Sequence, residues 1–437
     1  MYKKIFNTLK SLKGERSQRI NMKSSSALKI EKLIKKGVKI PNPDSVEIGN
    51  DVDTDRISGN KTIIYSGCKV FGSSTLILQG AKLGYEGPVT VENCQIGPLV
   101  NLNAGFFKDA VFLGRVSVGS GSHVREGTIL EEESSIAHTV GLKQTILFPF
   151  VTLGSLINFC DCLMSGGTSR KNHSEVGSSY IHFNYTPEQD KATPSLIGDV
   201  PRGVMLNQNP IFLGGQGGLA GPCRLAFGTI IAAGTICRND ELREQRLIFD
   251  KTVKGENIAF TPGIYRGIKR IVINNIIYIA NLTALMQWYI NVRTQFTSDD
   301  FPELLFAGLK EKLSMAIDER IKRFKDLCNK MQDVAASDQY LANDKLSSIV
   351  VRQRHELYRM RTRLEDSFVE FLDNAGDQAL RDVFVERIDI GIKKWGKDYI
   401  AVIKGLESKD SKTGTMWLQG IVDDITMKLL EIIPSFR

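Results

Sequence analysis

Residues 112–148 read FLGRVSVGSGSHVREGTILEEESSIAHTVGLKQTILF, and an apolar residue returns at every sixth position. The same spacing extends back to Val46 and gives eighteen positions, fifteen of them apolar; the exceptions are Ser58, Lys82 and Pro88. A helix repeats near 3.6 residues and a simple strand near 2, so neither explains this period. It predicts a β-solenoid, a parallel β-helix in which each short strand points one residue into the core before the chain turns a corner.

The chain divides into three regions by composition. Residues 1–44 form a basic, helical head and linker, residues 45–262 are glycine-rich and repetitive, and residues 263–437 have the apolar spacing of helices. The predicted fold is therefore a β-helix with a C-terminal all-α domain. Because Lys82 and Pro88 interrupt the sixfold spacing, we expect a bulge or loop near residues 82–90.

The positive charge of the chain is concentrated in the head. The formal net charge is +8, but residues 1–39 alone hold twelve Lys or Arg against two Glu, which leaves a slightly acidic body. A basic head of this kind is either a solvated amphipathic helix or a contact for an anionic surface such as a membrane. The acidic body argues against nucleic-acid binding.

Two further features bear on location. Seven scattered cysteines without zinc-ribbon spacing predict free thiols, and with no clear secretory signal they indicate the cytoplasm. The uncharged residues 271–292 are long enough to span a bilayer, but Asn274, Asn275 and Asn281 interrupt them. A buried bundle helix and a membrane span both remain open for this segment.

Three stretches of the repetitive region carry a more specific signal. Residues 227–240 read FGTIIAAGTICRND, residues 184–199 read NYTPEQDKATPSLIGD, and residues 158–161 read NFCD. They resemble the left-handed β-helix acyltransferases, in particular the acetyltransferase half of the bifunctional bacterial enzyme that makes UDP-N-acetylglucosamine. The resemblance covers residues 28–245 and implies a homotrimer that moves an acyl group from acetyl-CoA or another acyl-CoA to an amino sugar or sugar nucleotide. No metal is expected.

The resemblance also implies site residues. The candidate catalytic base is His173, with His182 as its competitor, because an imidazole can take the proton of an amine near neutral pH. Candidate substrate-binding residues are Arg170, Lys171, Asn184, Tyr185 and Lys191. Small residues at Gly215 and Ala233 fall where the family's backbone contacts acyl-CoA.

Several departures from the family keep other functions open. The family's phosphate-binding lysine is replaced by Leu163, and a tyrosine three residues past the base is replaced by Val176. Only about 30 residues precede the linker, and no Gly-x-Gly-Thr-Arg loop occurs, so we do not expect uridylyl transfer. The alternatives are a non-catalytic β-helix that binds a sugar nucleotide or a protein through its helical domain, and a structural solenoid on a membrane surface.

Overall fold

The computed structural model describes residues 25–249, 265, 267–332 and 345–437, with residues 345–347 described as backbone only. The basic residues before Ser25, and the predicted boundary at residue 262, lie outside these ranges. The predicted division of the chain at residues 44 and 262 therefore stays a prediction.

The repetitive region forms a parallel β-helix of three sheets, which we call A, B and C because from Ile63 onward the chain visits them in that order. Sheet A contains Ile63–Ile64, Lys82–Leu83, Asn101–Leu102, Ser117–Val118, Ser135–Ile136, Thr152–Leu153, Glu175–Val176, Phe212–Leu213, Ile230–Ile231 and Leu247–Ile248. Sheet B contains Glu47–Ile48, Lys69–Phe71, Val89–Glu92, Gly105–Lys108, Ser122–Val124, Val140–Lys143, Ile157–Cys160, Ile181–Phe183, Gly218–Ala220 and Ile236–Cys237. Sheet C contains Leu76–Ile77, Gln95–Ile96, Ala110–Phe112, Thr128–Leu130, Ile146–Leu147, Cys162–Met164, Ser195–Ile197 and Arg224–Leu225. We name the corners between the sheets AB, BC and CA.

The sixfold apolar positions build the core, which confirms the predicted fold. Fourteen of the eighteen are buried, and the exceptions are Ser58, Lys82, Pro88 and Phe106; of the buried ones, Leu76 faces outward on sheet C. At each exception a neighbouring apolar residue points inward instead: Ile57, Leu83, Val89 and Phe107. At Lys82 the strand itself is regular and pairs with Ile63 and Asn101. The expected irregularity is confined to corner AB at residues 84–88, where Tyr85 is exposed.

The C-terminal region is helical, as predicted. Including two helices nearer the N-terminus, the helices are α1 (Ser25–Lys36), α2 (Val200–Gly203), α3 (Ile268–Asn291), α4 (Glu303–Lys330), α5 (Lys345–Phe371), α6 (Gln378–Trp395), α7 (Tyr399–Lys404) and α8 (Ser408–Ile432). Single 3-10 turns occupy Pro43–Ser45, Thr54–Arg56, Arg293–Phe296 and Pro434–Phe436.

Helices α3 and α4 lie along sheet C and cover it. Near its start, α3 donates from Asn274 to Asp240 on the last coils, and near its end Tyr289 donates to Glu131. Helix α4 runs in the opposite direction, because Lys312 is beside Asp109 and Arg320 is paired with Asp161. The strands of sheet C before Arg224–Leu225 are consequently buried on both faces, whereas the strands of sheets A and B mostly alternate between buried and accessible residues.

The asparagines of α3 account for its unusual composition. Asn274 bonds the Asp240 carboxylate, Asn275 donates to the Ala192 carbonyl, and the Asn281 side chain accepts from the Val200 backbone N–H. Ile268–Phe296 is the one described stretch with the length and hydropathy of a membrane span, and 78% of its most apolar window is buried inside the protein. The amides that interrupt the apolar sequence thus satisfy buried polar groups of the β-helix.

Helix α1 closes the first coil. Ile30 and Leu33 are buried against the core, and the helix ends at Lys36 before Gly37, whose φ is +108°. Lys29 Nζ donates to the carbonyls of Gly49, Asn50 and Val52 at 2.7–2.9 Å. Part of the basic head therefore binds the exposed carbonyls of the β-helix end.

Candidate functional site

The candidate residues occupy three different corners of one chain. The His173 hairpin leaves corner CA, between Cys162–Met164 and Glu175–Val176. The loop with Asn184 and Lys191 leaves corner BC, between Ile181–Phe183 and Ser195–Ile197. Gly215 and Ala233 lie at corner AB. A single chain therefore does not bring these three sets together.

His173 is held by a short antiparallel hairpin, Gly167–Ser169 with Asn172–His173. Its Nδ1 is 2.9 Å from the Arg170 carbonyl oxygen, which can only accept, so Nδ1 carries the proton in this contact. The other nitrogen, Nε2, is 3.6 Å from a Glu175 carboxylate oxygen. The neutral ring therefore presents the Nε2 lone pair on the side of Glu175.

The two basic residues beside His173 have different environments. Arg170 Nη1 donates to the carbonyls of Glu133 and Phe150 at 2.9 Å, and Nη2 donates to Ser135 Oγ. These bonds attach the hairpin to the neighbouring coils, so Arg170 holds His173 in position. Lys171 is exposed at the tip.

His182 lies in a closed environment. Its side chain is 2% exposed, and Nε2 is 2.7 Å from Ser195 Oγ. Burial lowers the pKa of His182 to about 4, partly offset by Asp161. A substrate amine does not reach this ring in the described conformation, which favours His173 as the candidate base.

The loop that carries Asn184 and Lys191, which we call the acceptor-side loop because these are candidate residues for binding the acyl acceptor, contacts the helical domain. Asn184 Nδ2 donates to Asp161 Oδ2 at 2.7 Å, and the other oxygen of Asp161 binds Arg320 of α4 at the same distance. Lys330, at the end of α4, donates to the carbonyls of Glu188 and Gln189. Tyr185 and Lys191 are exposed on this loop.

Sequence reasoning did not identify Asp161 and Arg320 as part of this loop's support. Both are nearly inaccessible, and they form a buried ion pair. The available signal was a charge on the apolar face of α4, because Arg320 falls between the buried residues Ile317, Ile321 and Phe324.

Around Gly215 and Ala233, corner AB carries mostly glycine, alanine and serine. The Gly234 N–H donates to the Gly215 carbonyl, and Gln216 N–H donates to the Ser178 carbonyl, so successive coils are stacked here. A Cβ at Gly215 would lie 2.8 Å from the Ser178 oxygen, whereas Ala233 is exposed. Gly215 is therefore required by coil packing itself, and Ala233 is the accessible position of the two.

The two departures from the family have structural explanations. Leu163 is in the outward row of sheet C but is fully buried under the helical domain. Val176 is in the inward row of sheet A and is also fully buried. The position that corresponds to the family's phosphate-binding lysine is thus closed to solvent here.

The described residues offer no cluster of three or more His, Cys, Asp or Glu side chains with the geometry of a metal site. All seven cysteines are buried, and none forms a disulfide. Cys160 and Cys162, which form a C-x-C in the sequence, bond neighbouring oxygen atoms of Asn158 and Cys160 respectively.

Comparison with known proteins gives a consistent result over the β-helix. No family model matches the chain. Curated proteins with significant similarity include one from Trichlorobacter lovleyi, 29% identical over 209 residues, which is 48% of this chain and 40% of the relative. Another, from Fervidobacterium nodosum, is 30% identical over 222 residues, 48% of this chain and 41% of the relative. A third, from Thermosipho melanesiensis, is 26% identical over 252 residues, 57% of this chain and 50% of the relative.

All three are named bifunctional protein GlmU. Together with the parallel β-helix, these matches confirm the predicted resemblance to the hexapeptide-repeat acetyltransferases and the acetyltransferase half of GlmU. The matched part spans half or less of the length of these relatives.

Proposed function

We propose that this chain is a hexapeptide-repeat acyltransferase that moves an acyl group from acyl-CoA, with acetyl-CoA as the first choice, to the amine of an amino sugar or sugar nucleotide. The observation that carries the proposal is the His173 hairpin, whose neutral imidazole presents Nε2 beside Glu175. The similarity to GlmU proteins supports the same reaction class.

The chemistry assigned to His173 is general-base catalysis. As the substrate amine attacks the thioester carbonyl, a C–N bond forms and Nε2 accepts the proton that the amine releases. The C–S bond then breaks, and the departing CoA sulfur receives a proton from the imidazolium. Glu175, at 3.6 Å, stabilises the cation between these two steps.

A trimer would unite two of the three separated corners. Sheet C is covered by helices, so copies of the chain pack through sheets A and B. If sheet A of one copy lies on sheet B of the next, corner CA of the first is beside corner BC of the second. His173 and Asn184 belong to the same coil, because Glu175–Val176 and Ile181–Phe183 are consecutive strands, so they would then lie at the same height.

Exposed apolar side chains on the two free sheets support this packing. Phe212 and Ile230 on sheet A, and Ile181 and Phe183 on sheet B, are each 40–46% exposed. Such neighbouring apolar residues mark surfaces that are covered in an assembly. Replacing Phe212 with Asp should give a monomer in analytical ultracentrifugation and abolish acyl transfer, whereas His173→Ala should stay trimeric. A monomeric wild type would exclude the composite site.

The decisive experiment measures CoA release with a panel of amino sugars and UDP-amino sugars. His173→Ala should lower kcat by roughly 10²–10⁴-fold without loss of acyl-CoA binding, because only the base is removed. His355→Ala, an exposed histidine on α5, is the matched control and should be unchanged. Equal activity in wild type and His173→Ala would exclude the proposed base, and loss in His182→Ala alone would assign the role to His182.

Binding of the acyl donor at corner AB is better tested at Ala233 than at Gly215. A side chain at Gly215 would disrupt the coil through Ser178, so Gly215→Val cannot isolate donor binding. Ala233→Trp adds bulk at an exposed position of the same corner. If corner AB holds the pantetheine arm, this variant should raise the KM for acyl-CoA and leave the melting temperature within about 2 °C of wild type.

A non-catalytic function is the second candidate, and one observation favours it. The helical domain closes the Leu163 position and fixes the acceptor-side loop through Arg320 and Lys330. A β-helix that binds a sugar nucleotide or a protein through its helices would show no CoA release with any acceptor and no thermal shift with acyl-CoA. A cytoplasmic location and a contact between the basic head and an anionic surface remain proposals.

A further inference from the structure

A cleft lies on corner CA where the early coils meet the helical domain. Its volume is about 830 Å³, and it is separate from the His173 hairpin. One wall comes from the β-helix, including Asn60, Gln79 and Glu132, and the other comes from Arg293, Phe301 and Tyr399.

Arg293 forms the inner end of this cleft. The side chain is only 2% exposed, and its guanidinium is stacked between Tyr399 and Phe301, with 3.8 and 4.5 Å to the ring centres. One nitrogen, Nη2, binds Glu132. The other two, Nε and Nη1, have no hydrogen-bond partner within the described parts of the chain, and neither has the second oxygen of Glu132.

These unpaired groups are two donor nitrogens and one acceptor oxygen, all three buried, within a single ion pair. Unpaired buried groups of this kind are costly, which makes them a strong indication of a missing partner. The free nitrogens Nε and Nη1 lie on opposite sides of the side-chain stem, so one planar carboxylate cannot form a fork with both. Several separate hydroxyls can accept from both nitrogens and also donate to Glu132 Oε2.

The charge around the opening restricts the ligand further. The charge of Arg293 is already balanced by Glu132. Asp299, Asp300 and Asp398 stand at the rim with Arg115 and Lys397, so the rim carries a net negative charge. A phosphate or carboxylate approaching Arg293 passes this rim at an electrostatic cost, whereas a neutral ligand does not.

We propose that the cleft binds an uncharged saccharide, with ring hydroxyls on Arg293 Nε and Nη1 and on Glu132 Oε2. Asn60 at the β-helix wall adds an amide group of the kind that recognises hydroxyls, whereas the Gln79 amide nitrogen already donates to Asp299 and Asp300. The site goes beyond the proposed acyl transfer, because it uses neither His173 nor the donor corner.

The test is isothermal titration calorimetry of the full chain with N-acetylglucosamine and its β-1,4-linked disaccharide, without any acyl donor. We expect saturable binding below about 10 mM, and at least tenfold weaker binding of N-acetylglucosamine 1-phosphate. Absence of saturable heat with both neutral sugars would overturn the proposal, as would tighter binding of the phosphorylated sugar.

Two variants locate the binding. Asn60→Trp fills the opening from an exposed position and should abolish binding while the melting temperature stays near wild type. Glu132→Gln keeps the shape but removes the paired charge, and should weaken binding at least tenfold. His173→Ala should bind the sugars as wild type does, which separates this site from the proposed catalytic one. Unchanged binding in Asn60→Trp would overturn the assignment to this cleft.

Discussion

Sheets A and C share the same inward architecture but have opposite outward surfaces. Before its last strand, where Arg224 is only partly buried, the outward row of sheet C is Leu76, Gln95, Val111, Ile129, Ile146, Leu163 and Leu196. The central outward row of sheet A is Lys82, Asn101, Ser117, Ser135, Thr152 and Glu175. Every residue of the first row is buried, and none of the second row is. In a β-helix the inward residues determine the fold, while the outward residues show which face another element covers.

Removal of residues 263–437 should have the largest effect. It exposes the apolar row of sheet C along much of the β-helix, and we expect the truncated chain to aggregate. The same truncation with Val111→Lys, Ile129→Lys and Leu163→Lys should regain solubility. A soluble truncated chain without these changes, judged by size-exclusion chromatography, would contradict the covering role of α3 and α4.

A single charge placed in each row gives a sharper comparison. Ile129→Asp puts a carboxylate between sheet C and α4 with no partner, and should lower the free energy of unfolding by several kcal/mol. Ser117→Asp places the same group on sheet A and should change it by about 0.5 kcal/mol or less. Chemical denaturation of both variants checks the difference, and equal losses would show that the two faces are equivalent.

The buried ion pair under the helical domain should contribute more to stability than the more exposed ion pair at corner CA. Arg320→Ala leaves Asp161 buried and uncompensated, at a cost of about 3–5 kcal/mol. Arg115→Ala removes a largely exposed pair with Glu133 at corner CA and should cost about 0–1 kcal/mol. A loss below about 1 kcal/mol for Arg320→Ala would mean that the helical domain does not depend on this contact.

The covered face should also show a pH dependence. Burial, with Glu132 nearby, raises the pKa of Glu131 to about 7 from its ordinary 4.5. Between these values the folded chain keeps a proton that the unfolded chain releases, so this group lowers stability as the pH rises from about 4.5 to 7. Glu131→Gln should remove that part of the decline in melting temperature, and an unchanged pH profile would contradict the assignment.

Much of the fold was accessible from the sequence because the sixfold period reports inward packing directly. The uncharged row through Ile129 and Leu163 is a further pattern in the sequence, typical of a covered face. Residues could not be assigned to corners from the sequence, because this requires a strand count through the irregular segments at residues 166–174 and 184–194. His173 and Asn184 therefore read as neighbours, although the fold places them at different corners of one chain.

The polar contacts of α4 match a fixed number of coils of the β-helix. Lys312 and Arg320 are eight positions apart, which is roughly 12 Å along a helix. Their partners, Asp109 and Asp161, are three coils apart, which is about 14 Å at the spacing of neighbouring strands. Many solenoids change length by gaining or losing repeats, because each coil contacts mainly its neighbours. Here an inserted or deleted coil between Asp109 and Asp161 would move one of these carboxylates away from its buried partner on α4. The number of repeats in this stretch is therefore fixed by a helix that is not itself part of the repeat.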